Sequence, residues 1–182
     1  GQGIDIGHID TGYTEHPELI DQVDADRGFD TWNNDPDPTD PLKRPLIGFT
    51  EQPGHGTATG SVIVSPEGDQ SSHQGFVTGS APEATLIPFR ATKTVVVTQL
   101  GSAGEVAEAI GLAVEAGAKV ISMSLGGPTG SPPLQAAVKN ATEKGVIVCA
   151  AAGNVILPFF TRVTFPAAYS EVVAVAGCDI LE

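Results

Sequence analysis

The chain has 182 residues, 41% of them hydrophobic, with 22 glycines, 14 prolines and a formal net charge of −13. That length and apolar content suit one domain with its own core. No apolar run reaches the roughly 18 residues a membrane-spanning helix needs, and there is no basic stripe to hold a nucleic acid, which acidity of this size repels. The two cysteines, Cys149 and Cys178, form no C-x-x-C pair, which argues against a zinc or thioredoxin-type site. They read as buried free thiols, in or just after strands.

Taken in order, residues 3–9 read as a strand ending at Asp10-Thr11-Gly12. From 21 to 54 the chain is rich in Asp, Pro, Asn and Gly and reads as a long irregular surface segment, with one short strand at 46–49. Long segments of this kind inside a compact domain are usually functional. Asp35, Asp37 and Asp40 alternate with prolines there. The blander reading is a solvated acidic loop; a structural Ca²⁺ held by Asp35 and Asp37 is the alternative, although the spacing is not that of an EF-hand. Gly54-His55-Gly56-Thr57 opens a helix to about residue 64. A helix start disfavours imidazolium, so His55 is expected to be neutral near pH 7 and able to accept a proton. A polar loop spans 65–75, and a strand follows at 85–89.

Two helix–glycine–strand units come next. The first helix covers about 102–116, with Val106, Ile110, Ala113 and Val114 on one face, Gly117 as its cap and a strand at 119–123. The second starts at Ser131 as N-cap with Pro132 in first position. Its inner face carries Leu134, Ala137, Val138 and Ala141. Gly145 caps it, and 146–152 is a buried strand ending in Gly153-Asn154. A mixed segment at 159–165 and an apolar strand at 172–176 complete the chain. The repeat predicts an α/β fold with a mostly parallel sheet flanked by helices. In such sheets, sites form beyond the carboxyl ends of the strands. That edge would collect Asp10, Ser124 to Gly126, and Asn154.

The residue types on that edge suggest acyl chemistry. An aspartate can fix a histidine tautomer and stabilise its imidazolium. A neutral histidine can deprotonate a hydroxyl. A carboxamide N–H can stabilise a developing oxyanion. What this set lacks is a nucleophile.

The motifs Ile9-Asp10-Thr11-Gly12, His16-Pro17-Glu18-Leu19, Gly54-His55-Gly56-Thr57, Gly79-Ser80-Ala81-Pro82, Ser122-Met123-Ser124-Leu125-Gly126-Gly127 and Ala151-Ala152-Gly153-Asn154 occur in this order over nearly the whole chain. Together they resemble the subtilisin-like serine proteases, the subtilases. The resemblance implies a three-layer subtilisin-like fold and endopeptidase activity on polypeptide substrates. It gives Asp10 the role of orienting His55, His55 that of general base and acid, and Asn154 that of oxyanion-hole donor. It makes Ser124, Leu125 and Gly126 one substrate-binding wall, pairing with the peptide backbone, and Ala151, Ala152 and Gly153 the other. Gln99, Leu100 and Gly101 would flank the substrate on the far side. No cofactor is expected for catalysis. The resemblance also suggests a secreted or cell-envelope parent.

The family's nucleophile lies in a Gly-Thr-Ser-x-Ala segment, and residues 1–182 contain none. Ser124 does not replace it, since the family uses that serine in substrate binding. Ala58 stands where the family often has a second histidine. The expectation is therefore a partial peptidase domain, inactive by itself, with apolar surface exposed by truncation that could promote self-association. A non-catalytic peptide-binding module is the alternative. An aspartic protease and a Rossmann nucleotide binder fit less well: the former is all-β, and no G-x-G-x-x-G opens a helix here. His8 reads as a buried histidine satisfied by its neighbours, His16 as a turn brace, Met123 as core, and His73 as a loop residue with no partner evident.

Overall fold

The computed structural model describes residues 1–19, 21–43, 51–67, 78–98, 101–154 and 162–178. Its strands are β1 (Asp5–Asp10), β2 (Phe29–Asp30), β3 (Thr85–Arg90), β4 (Val120–Met123), β5 (Ile147–Ala151) and β6 (Val173–Val175). Its α-helices are α1 (His55–Val64), α2 (Ala103–Glu115) and α3 (Pro132–Glu143), with a single 3-10 turn at Ala25–Arg27. The strands form one sheet in the order β2-β3-β1-β4-β5-β6. Every pairing in it is parallel. The expected class is thus the observed one, a sheet between helical layers.

Local chemistry explains the helix ends. Ser131 Oγ accepts from the Leu134 N–H, and Pro132 follows in first position, where its missing N–H costs nothing. Gly117 and Gly145, just past α2 and α3, have φ of 89° and 80°. A glycine takes that left-handed turn without a Cβ penalty, which releases the chain straight into β4 and β5. Ile9, Ile87, Phe89, Val106, Ile110, Ile121, Leu134 and Val138 build the main core between the sheet and α2 and α3. A smaller cluster of Ile6, Leu19, Val64, Ala84 and Leu86 lies in the other layer.

The chain leaves β1 towards α1 and β3, whereas it leaves β4 towards α3 and β5. These neighbouring strands therefore send their connections to opposite sides, which opens a crevice at their carboxyl ends.

Sequence expectations change or gain detail in four places. The segment 21–54 is less irregular than its composition suggests: β2 is two residues long, too short to show a period. It is held by pairing with β3 and by the buried Asp30–Arg90 ion pair. The strand at 172–176 is real but not buried. Val173 and Val175 are 52% and 55% exposed, because β6 pairs only with β5. Val114 is half-buried but packs against the main core, and Ala109 is buried on the same side of α2. Both thiols are free, but Cys178 is exposed rather than buried, and only Cys149 is partly covered. The expected strand at 46–49, most of the polar loop at 65–75 with His73, and residues 159–161 lie outside the described residues.

Candidate active site

Asp10 is the last residue of β1 and is 1% exposed. Strand alternation puts it on the same face as Ile6 and His8, the face that α1 covers. Gly56, in the first turn of α1, allows that cover to be close. A Cβ there would fall on the Gly12 carbonyl and lie 3.2 Å from Asp10 Cβ. Only glycine fits, and the contact seats the helix start directly over the strand end.

The result is a short hydrogen bond. Asp10 Oδ1 and His55 Nδ1 are 2.7 Å apart. The same carboxylate oxygen accepts the Thr11 N–H at 2.7 Å. Its other oxygen accepts the Thr59 hydroxyl at 3.1 Å. No described residue bonds His55 Nε2, and the imidazole is 28% exposed. One nitrogen is therefore fixed by a buried anion and the other is left for a reacting group.

The helix start is not the largest electrostatic influence on His55. The helix start alone would keep His55 below the ordinary histidine range. Instead its pKa is raised, first by the hydrogen bond to Asp10, with burial opposing and the Asp10 charge adding to the rise. The magnitudes explain the outcome. A helix terminus contributes about 0.3–1 kcal/mol, whereas a hydrogen bond to a charged group contributes about 1.5–3 kcal/mol.

A pocket of about 260 Å³ is tied to this pair through Gln52, whose carbonyl accepts the His55 N–H and whose Oε1 accepts the N–H of the wall residue Val95. Ser124 to Pro128 form one wall, Ala151, Gly153 and Asn154 another, and Val95, Val96 and Thr164 complete it. Parallel neighbours β4 and β5 end side by side, which brings the residues after them together. Ala152 holds its place by donating to the Val175 carbonyl and accepting from the Thr164 N–H, but it does not line the pocket. Gly126 commits its N–H to the Val95 carbonyl and its carbonyl to the Val97 N–H. It enters the site as a pocket wall, not as a free strand edge.

Gly101 donates to the Thr98 carbonyl in the turn before α2 and is not in the pocket wall. Gln99 and Leu100 lie outside the described residues. The described segment that faces Gly126 is 95–97, which sequence reasoning missed. Its Thr-Val-Val-Val run carried an apolar signal but no motif. Thr59 and Thr164 were missed as well, since a lone threonine carries no signature.

Asp35 and Asp37 each accept a backbone N–H within their own loop. Asp35 Oδ1 accepts the Asp37 N–H at 2.9 Å, and Asp37 Oδ1 accepts the Thr39 N–H at 3.0 Å. These bonds shape consecutive turns, and hydrogen bonds from Thr39 hold the Asp37 pKa low. Among the described residues no group of three His, Cys, Asp or Glu side chains is placed to hold a metal ion. No step of the chemistry below uses one. His16 Nδ1 accepts the Glu18 N–H, bracing its turn, and Met123 is 2% exposed in the core. No described helix is long and apolar enough to cross a membrane.

The chain is similar to known proteins over nearly its whole length. The model of the subtilase family matches residues 1–180. The chain is 34% identical to the major intracellular serine protease of Bacillus subtilis, over 99% of this chain and 52% of that protein. It is also 34% identical to thermitase of Thermoactinomyces vulgaris, over 98% of this chain and 56% of that protein. Among solved structures, fervidolysin from Fervidobacterium pennivorans superposes with a TM-score of 0.71 at 27% identity, covering 95% of this chain and 24% of that one. Sphericase gives 0.63 at 30% identity, covering 97% and 53%. The chain thus spans about half the length of the curated relatives it matches. One of those relatives is named an intracellular protease, so kinship assigns no compartment. The family match spans nearly the whole chain, relatives of 34% identity are serine proteases by name, and the chain belongs to the subtilase family.

Proposed function

We propose that residues 1–182 carry the acid–base pair, the oxyanion donor and part of the substrate cleft of a serine endopeptidase, whose nucleophilic serine lies outside them. The observation that supports this most is the 2.7 Å contact between His55 Nδ1 and the buried Asp10 carboxylate, together with a pocket that has mainly apolar walls. Asp10 holds the imidazole with its proton on Nδ1, so the lone pair on Nε2 is free. His55 takes the serine hydroxyl proton as Oγ bonds to the peptide carbonyl carbon. Asn154 donates to the oxygen that becomes negative. His55 then returns the proton to the departing amine nitrogen, leaving an acyl-enzyme. A water molecule, deprotonated by the same Nε2, completes hydrolysis and restores the serine. Val95, Val96, Leu125 and Ala151 suit an apolar substrate side chain.

Reacting the longest natural chain that contains these residues with a fluorophosphonate probe tests the reading. The expected result is one labelled serine outside 1–182, with labelling lost in His55→Ala. The 182-residue chain alone should neither label nor turn over a peptide. A folded but unlabelled natural chain would favour a peptide-binding module. Labelling of Ser124 would overturn the assignment of roles.

A further inference from the structure

His8 is 1% exposed, lies two residues before Asp10 on the same face of β1, and is not used by the chemistry above. Its Nε2 is 3.0 Å from Thr59 Oγ1 and 3.9 Å from Asp10 Oδ2. Thr59 stands one helical turn after His55 in α1, so the strand's two-residue period and the helix's four-residue period interleave. The order in space is His8, Thr59, Asp10, His55. We propose that His8 is a positioning residue for the Asp10–His55 pair, donating from Nε2 to Thr59 Oγ1 and so committing the Thr59 proton to Asp10 Oδ2.

The argument is one of proton counting. A threonine hydroxyl has one proton and two lone pairs. Thr59 Oγ1 has three oxygens within reach: Asp10 Oδ2 at 3.1 Å, the His55 carbonyl at 3.1 Å and the Gly56 carbonyl at 3.4 Å. All three only accept. His8 Nε2 is the one neighbour that can donate. If it instead presented a lone pair, four acceptors would compete for one proton, and no donor would reach Oγ1. With the proton on Nε2, the hydroxyl is polarised towards the strongest acceptor, the carboxylate.

This matters because the terminal torsion of an aspartate is broad. The Thr11 N–H holds one oxygen in place, and the Thr59 proton holds the other, which sets the carboxylate plane that His55 meets. Few other groups compete. At the register of His8 the flanking strands present Pro88 from β3 and Ser122 from β4. Gly60 of α1 lies over the ring, with its Cβ position 3.8 Å from His8 Cε1. Arg90, level with Asp10, is committed to Asp30. Burial lowers the His8 pKa; the Asp10 charge opposes that shift and His55 adds to it, so the ring is held neutral.

The test compares His8→Leu, which keeps apolar volume, with His8→Gln, whose amide N–H restores a donor at similar reach. Both are made in the full natural chain. In His8→Leu the Thr59 proton is free to turn to the His55 carbonyl. Asp10 then loses a donor, and its less shared charge holds the imidazolium proton more tightly. The His55 midpoint, read by NMR of the imidazole nitrogens, should rise by about half a pH unit. The acid limb of the kcat/KM profile should move with it, kcat should fall about tenfold, and KM should stay within about twofold. His8→Gln should restore all three.

An unchanged midpoint in a folded His8→Leu would overturn the proposal, as would equal losses in both variants. The inference rests on the protease reading only for its kinetic arm. The NMR titration needs no turnover. Inactivity of the unmodified chain would sink that reading and leave this one to stand or fall on the midpoint.

Discussion

Replacing Asp10 by Asn removes one charge and keeps the shape, and the structure dictates how the amide must sit. The position of Oδ1 receives two donors, the Thr11 N–H and His55 Nδ1, both at 2.7 Å. An NH₂ placed there would face the Thr11 N–H, leaving a buried donor unpaired at a cost of about 1–3 kcal/mol. The amide oxygen therefore takes that position. The NH₂ then faces Thr59 Oγ1, which has a lone pair to receive it, and Thr59 turns its own proton to the His55 carbonyl 3.1 Å away. Every group is satisfied, and His55 keeps its proton on Nδ1.

The variant should thus lose the charge without losing the tautomer. A hydrogen bond to a charged partner contributes about 1.5–3 kcal/mol and a neutral one about 0.5–1.5. The difference of about 1–1.5 kcal/mol lowers the His55 midpoint by about one pH unit. Nitrogen NMR of the imidazole through a pH titration reads both quantities. A protonated Nδ1 with the midpoint about one unit lower is the expected result. If Nδ1 instead carries the lone pair in the variant, the amide has flipped and the argument from Thr11 fails.

Buried His8 and partly exposed His55 should together give the folded chain a stability optimum near pH 6.5, the ordinary histidine value. The His55 pKa is raised by Asp10, so its contribution is complete below 6.5 and is lost as pH rises through its folded value. Burial lowers the His8 pKa, so its contribution is complete above 6.5 and is lost as pH falls towards its folded value. Urea denaturation across pH 5 to 8 in the wild type, His8→Leu and His55→Leu should show one flank removed in each variant; two unchanged flanks would contradict the assignment. Arg90→Leu should cost about 3–5 kcal/mol in the same assay, because it leaves the Asp30 carboxylate, 1% exposed, without its partner. A loss under 1 kcal/mol would show that water reaches Asp30. Gly56→Ala should cost about 1–3 kcal/mol and weaken the His55–Asp10 contact, since its Cβ meets the Gly12 backbone. A wild-type His55 midpoint in that variant would refute the claim that this glycine seats the helix.

Much of the fold is local and so was legible in the sequence. Ser131-Pro132 and the glycines at 117 and 145 satisfy or release helix ends by chemistry within a few residues, and helical spacing marked Val106, Ile110, Leu134 and Val138 as core. Motif order put Asp10 at the end of its strand, His55 at the start of its helix and Asn154 just past its strand for the same reason. Strand β2 was invisible because two residues have no period, and its existence depends on Arg90, sixty positions away. The part played by 95–97 in the pocket depends on Gly126 across the sheet edge, and the exposure of β6 on which strand it neighbours. The direction of the His55 shift was the sharpest case. Sequence supplied the helix start, which lowers it, but only the packing of α1 onto β1 brought a buried carboxylate to 2.7 Å and reversed the sign. Residue types and spacings set what each group can do; distance and burial, which only tertiary structure fixes, decided which groups meet and which effect prevails.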